Sequence, residues 1–225
     1  MYNEEDSIEP LINSLTHSLK KSSFTSFKIL VVDDCSTDNS YEIVNSLIEA
    51  NSSLSLVRKI KRTNVGESFS IAIKSLQTEY FAWIPADGEI PPQIFETLPL
   101  PNPQELISHF PVNAKENRTL ARQVLSRAFT NILNTLFNKR IKYYNGTTLC
   151  PLTYLKKIII TSKGFTINAE LILRCLKDQF TQKELPFNFQ KRKGGESKAF
   201  QIKNIANVLS SLLSLSINLS RKTKK

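Results

Sequence analysis

Three short stretches of the chain carry side chains that could do chemistry. Asp87-Gly88-Glu89 sets two carboxylates at i and i+2. In an extended loop these face one side, and the glycine between them lets the backbone come close to a ligand. Such a pair suits Mg²⁺ or Mn²⁺ that keeps coordination positions open for phosphate oxygens, although the same residues would also make an ordinary solvated turn. Asp33-Asp34 ends a hydrophobic run, and adjacent carboxylates repel each other, so stability alone seldom places them there. Helix capping by Asp34, Ser36, Thr37 or Asp38 accounts for part of that cluster. The third stretch, KRKGGESK over residues 191–198, offers cations and backbone N–H groups to a phosphate, or else forms a basic loop in solvent.

The elements around these stretches must bring them together. Residues 5–20 place Ile8, Leu11, Ile12, Leu15 and Leu19 on one helical face, and FKILVV over 27–32 reads as a buried strand ending at the two aspartates. Cap-type residues and Glu42, three after Asn39, then announce a helix. Leu54–Ile60 reads as a strand, Val65–Leu76 as a helix and Tyr80–Ile84 as a strand broken by Pro85. This alternation predicts parallel pairing with right-handed crossovers, where ligands bind beyond the carboxyl ends of the strands. Both acidic clusters fall at such ends, so one crevice could hold both. Further on, Leu106–Phe110 reads as a strand, 119–138 as a long helix, a turn falls at Asn145-Gly146, Pro151–Ile160 reads as helical, 167–180 as a helix and Leu185–Phe189 as a last strand. The stretch from Ile202 to Leu219, apolar but laced with Ser and Asn, ends in Arg221, Lys222, Lys224 and Lys225. It suits a helix lying on a membrane surface, or one packed on the domain with a solvated basic end.

Composition narrows the classes. The 225 residues include 30 Lys and Arg against 20 Asp and Glu, a net charge of +10, and 40% are apolar. This is the balance of a folded domain with a phosphate-rich partner and not that of a disordered chain. The cysteines Cys35, Cys150 and Cys175 are far apart and unpaired in spacing, and His17 and His109 are isolated, so any metal must sit on carboxylates. No apolar run reaches the roughly 18–20 residues of a membrane span, and MYNEEDSIEP is acidic where a signal peptide is basic, so the expected location is cytoplasmic.

In combination these features resemble family 2 glycosyltransferases of the GT-A fold, close to dolichol-phosphate mannose synthases and bacterial polyprenyl-phosphate sugar transferases. Tyr2-Asn3-Glu4-Glu5 is similar to the family's Pro-x-Tyr-Asn-Glu, and Val31-Val32-Asp33-Asp34-Cys35-Ser36-Thr37-Asp38 to its Val-Asp-Asp-Gly-Ser-Thr-Asp. Asn64-x-Gly66, Tyr144-Asn145-Gly146, Phe165-x-x-x-Ala169-Glu170 and Arg192-x-x-Gly195-Glu196-Ser197-Lys198 follow in order. The resemblance implies an α/β three-layer sandwich with a mostly parallel sheet over residues 1–200, and leaves 201–225 as an amphipathic helix and basic tail. It implies that Tyr2, Glu4, Asp33 and Asp34 hold the base and ribose of a UDP- or GDP-linked sugar. Asp87 and Glu89 would then bind Mg²⁺ or Mn²⁺, and Arg122, with Ser126 four residues on, would join Arg192, Ser197 and Lys198 at phosphate. Two departures stand out. Pro85 replaces the first Asp of the family's Asp-Ala-Asp-x-Gln loop, and Tyr-Asn-Glu follows Met1 directly where the family has a strand and a proline. The expectation is that Met1 is internal to a longer natural chain or that the true start lies upstream. As written, the chain would then lack a central strand of its core and be poorly stable.

The expected reaction is inverting transfer of a sugar from a nucleotide diphosphate sugar, with the leaving diphosphate stabilised at Asp87, Glu89 and Arg192. The +10 charge favours a polyprenyl phosphate acceptor at a membrane surface, as in cell-envelope synthesis. For a saccharide hydroxyl acceptor, Glu170 would be the base. The competing readings are a degenerate homologue that binds nucleotide sugar without turnover, a nucleotidyltransferase, and a nucleic-acid-binding module. A nucleotidyltransferase would need an early glycine-rich loop, and no glycine precedes Gly66. No helix gathers Lys and Arg with aromatics on one face, which speaks against nucleic acid.

Overall fold

The computed structural model of the protein describes residues 1–162, 164 and 166–191. Helix α1 (Glu5–Lys21) opens the chain, with Glu5 and Asp6 in its first turn and Lys20 and Lys21 in its last, both complementing the helix dipole. Strand β1 (Ile29–Asp33) follows, then α2 (Ser40–Ala50), β2 (Leu54–Arg58), α3 (Val65–Ser75) and β3 (Tyr80–Ala82). After a 3₁₀ turn at Pro92–Phe95 come β4 (Glu105–Pro111), the short α4 (Ala114–Asn117) and the long α5 (Leu120–Phe137). Strand β5 (Thr148–Pro151), α6 (Leu152–Leu155), α7 (Ile167–Lys177) and β6 (Thr181–Phe187) complete the described elements.

The fold is α/β, as expected, but the pairing is mixed. β1 and β2 run parallel, in a register that sets Asp33 beside Arg58. The second sheet has the order β3-β5-β4-β6, with β5 antiparallel to both neighbours and β4 parallel to β6. Residues 148–151 were expected to lead into a helix over 151–160. Instead they form β5, and only Leu152–Leu155 is helical. Beside β1, the Met1 ammonium donates to the Val32 carbonyl at 2.9 Å and the Asp34 N–H donates to the Met1 carbonyl at 2.8 Å. That is one step of a parallel ladder along the edge that β2 leaves open.

Two apolar cores sandwich the strands. One gathers Ile8, Ile12, Val44, Leu54, Ile94 and Leu98 under α1 and α2; the other gathers Phe69, Leu106, Leu133, Leu152, Ile167 and Leu171 under α3, α5 and α7. Cys150 and Cys175 are wholly buried in the second core, as small apolar residues would be, while Cys35 lies in a loop. Gly146 is required by a close approach, because a Cβ there would lie 1.9 Å from the His109 carbonyl oxygen.

Candidate active site

The N-terminal segment, the end of β1 and the loop after β3 meet at one rim. Asn3, at φ 54°, accepts the Thr37 N–H at 2.9 Å and donates its own N–H to Ser36 Oγ at 3.1 Å. The Glu4 N–H donates to Ser40 Oγ at 2.8 Å. The Ser7 hydroxyl then reaches from the first turn of α1 to the Ala86 carbonyl at 2.9 Å. Backbone and hydroxyl bonds therefore connect residues 2–7, 33–40 and 85–87, which the sequence separates by up to about eighty positions.

The two early aspartates are held differently. Asp33 is fully buried and accepts the Ser36 hydroxyl at 2.5 Å and the Ser36 N–H at 3.2 Å, with Arg58 Nε 3.4 Å away. It shapes the turn that follows β1 through these bonds. Asp34 pairs with Lys59 Nζ at 2.6 Å and accepts the Thr63 N–H at 2.9 Å. Tyr2 lies under the Arg62 guanidinium, 3.8 Å from ring centre to Cζ. Arg58, Lys59 and Arg62 did not stand out in the sequence reading. Their signal was available, because RKIKR begins at the last residue of β2 and parallel pairing brings that end beside Asp33-Asp34.

The loop after β3 separates its two acids. Asp87 Oδ1 accepts the Glu89 N–H at 3.1 Å, and Gly88 turns the chain at φ 71°, a conformation costly for any other residue. Glu89 is engaged by two arginines. Its carboxylate takes two hydrogen bonds from Arg122 at 3.0 Å and one from Arg118 at 2.7 Å, and it is 9% exposed. Burial alone would raise its pKa, but the two guanidiniums outweigh that and hold it below the ordinary carboxylate value. Arg118 also donates to the Tyr143 hydroxyl at 3.0 Å and stacks 3.7 Å over Phe189. Arg122 was expected at phosphate, and here it neutralises Glu89. Arg118, the second partner of Glu89, was missed, since nothing in the sequence links it to a carboxylate 29 residues away.

Glu170 is also committed elsewhere. Fully buried on α7, it accepts the Thr161 and Ser162 N–H groups at 3.0 and 2.7 Å and pairs with Arg174 at 2.7 Å. Burial would raise its pKa, yet these donors pull it below the usual range, so it ties the loop at 161–162 to α7 and makes a poor proton acceptor. The nearby Tyr144-Asn145-Gly146 segment is fixed by Asn168, whose amide donates to the Tyr144 and Gly146 carbonyls while its oxygen accepts from Trp83 Nε1.

Arg192, Ser197, Lys198 and the 201–225 segment lie outside the described residues. The chain leading to them is placed, however. The Gln190 N–H donates to the Glu89 carbonyl at 2.9 Å, and Phe189 is bonded at both its N–H and carbonyl to the Asn113 side chain. Strand β6 therefore delivers the chain to the Asp87–Glu89 turn two residues before Arg192. Among the described residues, no group of three or more His, Cys, Asp and Glu could hold a metal, so any ion here would also need oxygens from a ligand.

Comparison with known proteins gives the family and the fold. The family model described as glycosyl transferase family 2 matches residues 1–150. Among solved structures, glucosyl-3-phosphoglycerate synthase from Mycobacterium tuberculosis in complex with Mg²⁺ and uridine-diphosphate superposes with a TM-score of 0.69 at 13% identity, covering 96% of this chain and 76% of that one. The same enzyme with Mn²⁺, uridine-diphosphate-glucose and phosphoglyceric acid gives 0.68 at 14% identity, covering 96% and 77%. At such identities the likeness shows the fold, and the match of the family model over two thirds of the sequence shows the family. On that match, this chain belongs to glycosyl transferase family 2.

Proposed function

We propose that the protein transfers a sugar, with inversion, from a nucleotide diphosphate sugar to a polyprenyl phosphate at a membrane surface. The observation that carries this reading is the convergence of three elements at one place. The rim formed by residues 2–7 and 33–40 is bonded to the loop at Ala86, and β6 delivers the approach to Arg192 at the Glu89 carbonyl. Tyr2, Glu4 and Asp34 line the side suited to base and ribose. Asp87 would meet the diphosphate, and Arg192, Ser197 and Lys198, which lie outside the described residues, are assigned to it from the sequence motif alone.

In the reaction, an acceptor phosphate oxygen attacks the anomeric carbon, and the bond from that carbon to the donor's diphosphate oxygen breaks. The nucleoside diphosphate leaves with the electron pair. A phosphate oxygen is already ionised at neutral pH, so no strong base is required, which fits the commitment of Glu170 to Arg174 and the loop at 161–162. Asp87 would hold a divalent ion together with the donor's phosphates; bound there, Mg²⁺ or Mn²⁺ supplies positive charge against the developing diphosphate. The solved relatives carry Mn²⁺ or Mg²⁺ with uridine-diphosphate, which supports this assignment. One of those complexes also holds phosphoglyceric acid, so a phosphate-bearing small molecule is accommodated on this fold. Among the described residues no helix is long and apolar enough to cross a membrane.

The test is a panel of UDP- and GDP-linked sugars offered with polyprenyl phosphate in detergent, with the product read by mass spectrometry. One donor should give a glycosyl-phosphate lipid whose anomeric configuration is opposite to the donor's. Product formed only on a saccharide hydroxyl would redirect the acceptor assignment. Binding of donors without turnover would place the protein among degenerate homologues.

A further inference from the structure

Helix α5 has two apolar faces, and among the described residues only one is buried. Phe129, Thr130 and Leu133 are buried against the domain. On the outward side, Leu120 is 73% exposed, Val124 56%, Leu125 40%, Ile132 41% and Leu136 56%. Successive positions four apart advance by about 40° around a helix, so Leu120, Val124, Ala128, Ile132 and Leu136 sweep an arc of about 160°. Within that arc the polar residues are Asn131 and Thr135, and α5 contains no acidic residue at all. A helix face turned to water ordinarily carries charge; an apolar one of this width has something to cover it.

The surrounding charge indicates what. Lys115 is exposed just before α5, Arg127 on its flank, and Arg140 and Lys142 beyond its end, with Glu116 the only acid from 112 to 142. Arg127 and Lys142 also line one groove of about 210 Å³ between α5 and residues 141–143, together with Ser126 and Asn131. An apolar stripe bordered by cations along its length matches the layering of an anionic bilayer, with acyl chains under the stripe and headgroups at its rim.

From this we infer that the outward face of α5 is a docking surface for an anionic lipid bilayer. The inference deepens the lipid-phosphate reading above. The first turn of α5 also carries Arg122, which holds Glu89, so docking would bring the Asp87 turn to headgroup level.

Full-length protein is floated with vesicles of phosphatidylcholine, with and without phosphatidylglycerol, in the absence of donor. Wild type should bind the anionic vesicles and release them as salt rises. The double variant V124S/I132S should lose about tenfold or more of that binding while keeping its circular dichroism spectrum and its transfer to a short, water-soluble prenyl phosphate. Vesicle binding that the double variant leaves unchanged would overturn the inference. So would a wild-type dimer in light scattering that V124S/I132S converts to monomer, because a second copy would then cover the face. Transfer activity is read separately, so its absence would count against the proposed reaction and not against the docking surface.

Discussion

Glu89 distinguishes a structural clamp from a metal ligand, and Glu89→Gln tests which it is. The substitution removes the charge from a nearly buried carboxylate that accepts from two guanidiniums. Breaking a buried pair by removing one partner costs about 3–5 kcal/mol. The Arg118 and Arg122 side chains keep 15% and 20% exposure and can turn toward water, so we expect the cost to fall to about 2–3 kcal/mol. At about 2–4 °C per kcal/mol for a chain of this length, Tm should drop by about 4–12 °C. The assay is thermal unfolding of wild type and variant, each alone and with nucleotide sugar plus Mn²⁺. The clamp predicts a lower Tm for the free variant and a retained increment on adding donor and metal. An unchanged Tm with a lost metal-dependent increment would refute the clamp and restore Glu89 as a ligand.

Other substitutions and conditions test the fold around the site. His109 is buried, its Nδ1–H donating to the Thr147 carbonyl at 2.9 Å, and burial lowers its pKa from the ordinary value. The unfolded chain takes up that proton near pH 6.5 and the folded one at lower pH, so its contribution to stability is present above about pH 6.5 and fades as pH falls. Urea midpoints measured from about pH 7 to 5.5 should decline, and His109→Gln should flatten the slope. Cys35 sits at φ 66°, where the family's motif has glycine, so Cys35→Gly should relieve backbone strain and raise Tm by about 1–4 °C. Gly146→Ala must push a methyl against the His109 carbonyl and should cost about 3 kcal/mol in chemical denaturation.

Periodic and strongly apolar segments were legible in the sequence. α1, α3, α5 and α7 lie within a few residues of their expected spans, as do β1, β2 and β4. Strand β5 was not, because its four residues carry no alternation and follow a turn, and what makes them a strand is pairing with β3 and β4. The acidic residues of the site were found by type and position, but their partners were not. Which cation each carboxylate meets depends on arginines and lysines that only the fold brings near. Arg118 and Arg122 come to Glu89 from α4 and α5, and Lys59 comes to Asp34 through the parallel register of β1 and β2. Glu170 looked available as a base because the loop at 161–162 that consumes it has no sequence signature.

The most direct test of the central claim is calorimetric titration of the preferred nucleotide sugar into wild type, Asp87→Ala and Arg192→Ala, each with and without Mn²⁺. If one diphosphate is gripped between the Asp87 turn and the chain that β6 delivers, wild-type affinity rises with Mn²⁺, Asp87→Ala abolishes that rise, and Arg192→Ala weakens binding under both conditions. Equal affinity in all three proteins, with or without the metal, would contradict it.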